Sequence, residues 1–472
     1  MLDDVYILPV GSRRLVFSPW RGVAAVVSPS GASALAQWAG SLVAQPPSAG
    51  HASGSQPRTA GPHHGLRPPP ELAPLTEALA CPPERPPDHQ WPPFLGLIAT
   101  RACNMACGYC DFGGEELADG VMKPEVAVGA INGWAARIRD QGAGELNLHF
   151  FGGEPFVAPD LVQVAVHRTR ALAAEAGLPT HFEASTNGLL DDAMIGFAQD
   201  YFDVLVVSLD GQQADHDRHR PLPDGMGSFA RVCRTLQRLR DGQVDICLRC
   251  CVSSANVEHM AAIAEWFAGE FQPRTINFEP MRLGAGCRGS GLTAADPAAF
   301  ARGFIAARRV ARAAGVECTF SALFDASREG FCPVSRGAYI VAPNGSVRCC
   351  YLPARHWRDL GLDLEIGSVA EDGALRVDAA AVRRVRQLSP ERPRCHTCFC
   401  RAGCGGGCLA REGDPPDAAG FTVFCRMTRL IQAAALLDDL DQADTADTVL
   451  SAPAALAALL NRPDDRLGAN GP

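Results

Sequence analysis

Apolar residues recur along the chain in short runs set between helical stretches. Runs at Phe94–Ala99, Leu146–Phe151, His181–Ser185, Val204–Leu209, Ile246–Val252 and Thr275–Phe278 have the length of buried strands. Between them, Glu125–Arg139, Leu161–Ala176, Phe229–Leu239 and Met260–Phe267 carry the apolar spacing of one-sided helices. Strand and helix alternating in this way predict a parallel sheet with helices outside it, open or partly closed as a barrel. Sheets of that kind gather function at the C-terminal ends of their strands. Ahead of this core, Tyr6-Ile7-Leu8, Leu15-Val16-Phe17 and Val23–Val27 read as short strands. Ser28-Pro29-Ser30 then opens a helix that runs through Ala32 to Trp38. Behind the core, Val316 to Cys425 is short-stranded and rich in Gly and Cys, and Met427–Leu440 reads as a helix before a weakly ordered tail.

The pattern divides the chain into a small β-rich module at 1–42, a linker at 43–93, an α/β core at 94–300, a Cys-rich α+β domain at 301–430, and a C-terminal helix and tail at 431–472. The linker is recognised by its proline pairs, among them Pro46-Pro47 and Pro92-Pro93, set in Gly, Ser and His, a composition that cannot bury a core. At 472 residues the chain is long enough for two or three domains, and 47% hydrophobic with 20% charged residues is ordinary for a globular protein. The net charge of -9, with Lys and Arg dispersed, argues against nucleic acid as a partner. No apolar run is long enough to span a bilayer, which argues against a membrane partner. Met1-Leu2-Asp3-Asp4 is acidic where a signal peptide would be basic, so a cytoplasmic protein is expected.

Cysteine changes the picture. There are 19, an odd number, and a reducing cytoplasm disfavours disulfides. Their clustering points to metal or iron–sulfur ligation instead. Cys103, Cys107 and Cys110 form C-x3-C-x2-C directly after the first core strand. Three thiolates in so short a loop can hold a [4Fe–4S] cluster with one iron left open; the alternative is a zinc site with a distant fourth ligand. This motif, with Tyr109 before its third cysteine and its place at a strand end, resembles that of the radical S-adenosylmethionine (SAM) superfamily. The resemblance continues through Gly152-Gly153-Glu154-Pro155, Ser185-Thr186-Asn187-Gly188 and Ser208-Leu209-Asp210-Gly211, which end the second, third and fourth strands. It implies a partial (β/α)6 TIM-like barrel. It also implies a SAM-binding [4Fe–4S] cluster that cleaves SAM to a 5′-deoxyadenosyl radical.

By the same resemblance, Gly152, Gly153 and Glu154 lie against the SAM amino group, while Ser185, Asn187, Ser208 and Asp210 surround its ribose and carboxylate. Arg220, closing the segment His216-Asp217-Arg218-His219-Arg220, and Arg249 of the fifth strand complete the SAM set. Read from the residues alone, His216 and His219 could instead form a solvated loop or a weak metal pair, and Arg249 a strand-edge salt bridge.

A second set follows the core: Cys332, then Gly345-x4-Cys350, Cys395-x2-Cys398-x5-Cys404-x3-Cys408, and Cys425. It resembles the SPASM extension of radical SAM enzymes, which binds two auxiliary iron–sulfur clusters; a zinc ribbon or paired zinc knuckles are the alternative. The resemblance assigns Cys395, Cys398, Cys404 and Cys425 to an outer cluster and Cys332, Cys350 and Cys408 to an inner one. Some relatives have a fourth inner cysteine where this chain has Ala338, so either Cys349 or Cys318 substitutes or one iron is open. Cys233, Cys247 and Cys251 are expected to pack as small hydrophobes.

SPASM enzymes mostly modify peptides and proteins. The expected substrate is a ribosomally made precursor peptide or a protein, and the product a thioether or carbon–carbon crosslink or an inverted centre. Electrons would come from a reductase, flavodoxin or ferredoxin. The alternatives are formylglycine formation as in anaerobic sulfatase maturases, a small-molecule radical reaction, or a non-enzymatic metal scaffold. The sulfatase maturases place an Asp base where this chain has Tyr351. The first 42 residues resemble a truncated leader-recognition module, with a leader expected to add as a strand near Leu15–Phe17. A small cap on the barrel is the alternative.

Overall fold

The computed structural model describes residues 2–43, 69–85, 94–112, 120–142, 144–282, 291–325, 331–332, 338–388, 393–410, 416–417, 420–462 and 464–467. Most of the expected linker lies outside the described residues. The N-terminal strands are β1 (Tyr6–Val10), β2 (Arg13–Ser18) and β3 (Val23–Val27), followed by helices α1 (Pro29–Val43) and α2 (Ala73–Ala80). The core then alternates β4 (Leu95–Ile98), α3 (Pro124–Asp140), β5 (Leu146–Phe151), α4 (Pro159–Ala176), β6 (Thr180–Thr186), α5 (Asp192–Tyr201) and β7 (Val204–Ser208). It continues with α6 (Gln213–His219), α7 (Phe229–Arg240), β8 (Asp245–Val252), α8 (Met260–Phe271), β9 (Thr275–Pro280), α9 (Pro297–Ala313) and β10 (Glu317–Thr319). The Cys-rich region contains β11 (Tyr339–Val341), β12 (Ser346–Arg348), α10 (Ala354–Arg358), β13 (Glu365–Val369), β14 (Leu375–Val377), α11 (Ala379–Gln387) and α12 (Arg401–Cys404). Helices α13 (Val423–Asp439), α14 (Ala443–Ser451) and α15 (Pro453–Leu460) close the chain.

Strands β4 to β10 lie side by side in chain order and all pair in parallel, the arrangement that strand–helix alternation demands. The sequence shows locally why. In β8, Ile246, Leu248, Cys250 and Val252 are buried while Asp245, Cys247, Arg249 and Cys251 are half-buried, so alternation turns the apolar residues to the core and the polar ones to the sheet's other face. Helix α4 starts with Pro159 in its first turn and stops at Gly177, which takes φ 65°. Asp296 caps α9 by accepting from the amides of Ala298 and Ala299. Leu97, Leu148, Ala184, Leu205, Leu248 and Phe278 are completely buried; a Leu or Phe so enclosed contributes about 1.5–3 kcal/mol.

The Cys-rich region is not a detached unit. β11 pairs in parallel with β4, through Tyr339↔Leu95 and Val341↔Leu97, so the antiparallel strands β11 to β14 extend the barrel sheet to eleven strands. The expected boundary at residue 300 falls inside α9, and β10 beyond it still pairs with β9. Helix α13 is buried over most of its length, and its Asp438 and Asp439 pair with Arg309 and Arg308 of α9 at 2.7 and 2.9 Å.

Three expectations need correction. The strand Leu15–Phe17 has no free edge: β2 is the middle strand of its sheet, hydrogen-bonded to β1 and β3. Within the stretch expected as linker, Leu72 and Leu79 are buried in the same cluster as Val16, Leu35 and Trp38, so 70–80 folds onto the N-terminal module. The tail is structured in α14 and α15, and residues beyond them pair with β1. Among the described residues no helix is long and apolar enough to cross a membrane.

Candidate active site and auxiliary metal centres

The loop that carries Cys103, Cys107 and Cys110 leaves the C-terminal end of β4 and is held from two sides. On one side Thr100 O accepts from Gly153 N at 3.0 Å and Ala102 O from Glu154 N at 2.9 Å. On the other, Ala106 N donates to Pro221 O at 2.8 Å and Gly108 N to His219 O at 3.0 Å. The first contact requires glycine: a Cβ on Gly153 would sit 2.2 Å from Ala102 O, and Gly152 takes φ 141°. Cys103 and Cys110 are exposed and Cys107 is half-buried. The three lie within electrostatic reach of one another, and burial pushes the Cys107 thiol up to about 12. Metal binding would stabilise the thiolate and release that proton.

Glu154 is buried, and both its oxygens are occupied. Oε1 accepts from Phe156 N at 3.2 Å and from Thr186 Oγ1 at 2.8 Å, and Oε2 from Asn187 N at 2.6 Å. Burial raises its pKa to about 7. The carboxylate ties the ends of β5 and β6 together, and the glycines before it form the face toward the cluster loop. Asn187 reaches that loop, donating through Nδ2 to Asn104 Oδ1 at 2.7 Å and to Cys103 Sγ at 3.5 Å.

Asp210 and Arg220 are brought together, but to each other. Asp210 is fully buried; its Oδ2 accepts from Arg220 Nε at 2.8 Å and Tyr109 Oη at 2.7 Å, and its Oδ1 from Cys251 N at 2.8 Å. Its carboxyl is held well below the usual range: burial opposes ionisation, and Arg220 and His219 outweigh it. The Arg220 guanidinium also lies 5.2 Å from the Tyr109 ring centre. The reading of His216 and His219 as a solvated loop or metal pair does not hold. Both are completely buried, with His216 Nδ1 accepting from Asp210 N and its Nε2 facing Ser228 Oγ at 3.0 Å, and His219 Nε2 facing Ser253 Oγ at 2.9 Å. This network fastens the cluster loop to the ends of β7 and β8.

Ser185, Ser208 and Arg249 are half-buried on the inner strand face, and Arg249 lies beside Ser208 in register. Arg249 Nε is buried with no hydrogen-bond partner among the described residues, which leaves a donor for a bound anion rather than for a strand-edge salt bridge. The same face carries His149, stacked on Phe94 at 4.2 Å and 3.8 Å from Glu183, a pair that the motifs gave no reason to single out. Tyr351 packs against Phe151 at 4.8 Å and fills the space left by Gly96, where a Cβ would meet its hydroxyl at 2.3 Å. Burial pushes its phenol far up, so it stays protonated.

The second cysteine set divides into two groups. Cys350 is buried, with Cys332, Cys408 and Cys349 in electrostatic reach. Cys349 also reaches Cys332, whereas the Cys318 thiol on β10 is raised by burial, with Arg308 and Glu317 as its charged neighbours and no cysteine among them. Cys395, Cys398, Cys404 and Cys425 line one pocket. Thr422 caps α13 by accepting from Cys425 N, which fixes that cysteine in the first turn. No three His, Cys, Asp or Glu among the described residues converge on a single metal ion. Sequence reasoning missed three residues here. Cys400 also lines the cavity, and its thiol hydrogen-bonds Cys398 and lowers the pKa of that thiol. Arg429 and Asp465 form a buried ion pair beside it. Cys400 sits inside the Cys398-x5-Cys404 interval, and the other two are far apart in sequence with no motif around them.

The family model described as the Radical SAM superfamily matches residues 97–267. The chain is 28% identical over 339 residues to the serine-type anaerobic sulfatase-maturating enzyme of Klebsiella aerogenes, covering 69% of this chain and 80% of that one. It is 25% identical over 186 residues to the cysteine-type anaerobic sulfatase-maturating enzyme of Clostridium perfringens, covering 37% and 49%. Among solved structures, native anSMEcpe with bound AdoMet superposes with a TM-score of 0.57 at 19% identity, covering 74% of this chain and 99% of that one.

Proposed function

We propose that the chain is a radical SAM enzyme with a SPASM-type C-terminal region, and that it modifies a side chain or backbone centre of a ribosomally made peptide or a protein. A [4Fe–4S] cluster with SAM bound to it would supply radical chemistry for abstracting a substrate hydrogen. Cys103, Cys107 and Cys110 would hold that cluster. Gly152 and Gly153 would let the backbone approach the SAM amino group, and Ser185, Asn187, Ser208 and Arg249 would offer the remaining polar contacts. Glu154, Asp210 and Arg220 act behind them, bracing the loop. Cys395, Cys398, Cys404 and Cys425 would hold the outer auxiliary cluster, and Cys332, Cys350 and Cys408, with Cys349 as the nearest further thiol, the inner one. A flavodoxin, ferredoxin or reductase would deliver the electron, in a reducing cytoplasm that keeps these thiols free.

The observation that carries a crosslinking or epimerising reaction is Tyr351. Where a sulfatase maturase has a carboxylate base, this chain has a buried phenol that cannot ionise near neutrality. Formylglycine formation is the second reading because a serine-type sulfatase maturase is similar along 69% of this chain. The test is anaerobic turnover with SAM and dithionite on two substrates: a Ser- or Cys-containing sulfatase peptide, and a candidate precursor peptide. Mass spectrometry should show hydrogen loss or deuterium exchange at a precursor residue, with no aldehyde on the sulfatase peptide. A hydrazide-trappable aldehyde would overturn the crosslinking reading and install the second.

A further inference from the structure

Arg429 lies on α13 just beyond Cys425, completely buried. Its Nη2 donates to Asp465 Oδ1 at 3.0 Å and to Leu459 O at 2.6 Å. Its Nη1 donates to the other oxygen of Asp465 and, at 3.4 Å, to Cys398 Sγ. The guanidinium is flanked by the rings of Phe399 and Phe421, 5.0 and 4.6 Å away. Its Nε alone is buried with no hydrogen-bond partner among the described residues. Arg429 also lines the cavity bounded by the four outer-cluster cysteines. A buried N–H without an acceptor is costly, and native proteins rarely leave one so. The acceptors that a four-thiolate cavity would supply are sulfur atoms.

We propose that Arg429 is a positioning residue that sets the reduction potential of the outer auxiliary cluster, by donating N–H···S hydrogen bonds to it from inside a clamp made by Asp465. Hydrogen bonds to cluster sulfurs and nearby positive charge both stabilise the reduced, more negative state, and so raise the potential. Asp465 offsets most of the guanidinium charge and fixes its orientation, so the two residues pull in opposite directions. Removing the arginine lowers the potential. Neutralising the aspartate leaves an uncompensated cation beside the cluster and raises it.

This inference rests on reading Cys395, Cys398, Cys404 and Cys425 as a cluster site. The test is an EPR-monitored redox titration of the full-length reconstituted chain in a Cys103→Ala, Cys107→Ala, Cys110→Ala background, so that only auxiliary clusters report. Three further variants are compared: Asp465→Asn, Arg429→Gln, and both together, the last leaving no unpaired charge if a single change fails to fold. The expected result is full auxiliary iron content throughout, with the outer potential shifted up in Asp465→Asn and down in Arg429→Gln and in the double variant. Unchanged potentials, or shifts of one sign in all three, would overturn the inference. So would loss of the outer cluster from all three, since Arg429 would then be only a structural clamp. Absence of the outer cluster from protein with Arg429 and Asp465 intact would instead sink the cluster assignment.

Discussion

A methyl group at residue 153 would collide with the carbonyl of Ala102 at 2.2 Å, and neither backbone can yield without moving the loop between Cys103 and Cys110. Gly153→Ala is therefore expected to slow SAM cleavage about 10²-fold, the scale of a misplacement near 1 Å, while leaving auxiliary iron intact; 5′-deoxyadenosine release against iron content checks both. A second expectation concerns acid. His216 is neutral in the fold, and burial lowers its pKa from 6.5 to about 4, against Asp210 and Asp217, which raise it. The unfolded chain takes up this proton at higher pH than the folded one. The stability is thus fully present above 6.5 and is lost as pH falls through 4, a change on the order of 3 kcal/mol. Denaturant melts above and below that window should show the loss, and His216→Asn should flatten it. At this scale the sequence was legible where residues act through local motifs. It placed Cys103, Gly153 and Asn187 at strand ends, where they are found. It did not foretell that Asp210 and Arg220 pair with each other, because which arginine a buried carboxylate meets depends on packing that no motif records.

Elements long enough to show a period were equally legible. All six expected core strands are present as β4 to β9, and the four expected helices between them are present as α3, α4, α7 and α8. The missed strands, β10 and β11, have three residues each, too few for alternation to register. Nor does composition foretell that residues 464–467 act as a strap. Ile7 N donates to Asp465 O and Leu467 N to Val5 O, both at 2.8 Å, while Asp465 N donates to Thr397 O at 3.1 Å and its side chain accepts from Phe399 N at 3.2 Å. One short segment thereby ties the N-terminal sheet, the outer cysteine loop and Arg429. Ending the chain after Arg462 should remove these bonds and leave Arg429 unpaired, at a cost of about 3–5 kcal/mol for the ion pair alone. The expected outcome is loss of outer-cluster iron and a lower melting temperature, with SAM cleavage by the first cluster retained in the surviving fold; iron analysis and uncoupled 5′-deoxyadenosine formation test it.

For the molecule as a whole, the separation of three cysteine groups predicts separable metal centres. Replacing Cys103, Cys107 and Cys110 with Ala should abolish SAM cleavage and remove one cluster's iron while the other two persist, as Mössbauer spectra would show. Iron near zero with stoichiometric zinc would defeat the iron–sulfur reading altogether. The overall order was readable because the parallel strands sit in space in the order of the chain, so the motifs line up at one end of the sheet. What escaped the sequence was the join between β4 and β11, a pairing across about 240 residues. That join has a consequence for synthesis. On a ribosome adding about 5–20 residues per second, β4 emerges and then waits about 12–50 s before Tyr339–Val341 arrive to cover its outer side. Throughout that interval the nascent barrel presents an unpaired apolar strand edge, the kind of surface on which chains aggregate. Pausing translation before Tyr339 should therefore leave a chaperone-dependent, aggregation-prone intermediate, and release past Val341 should end that dependence.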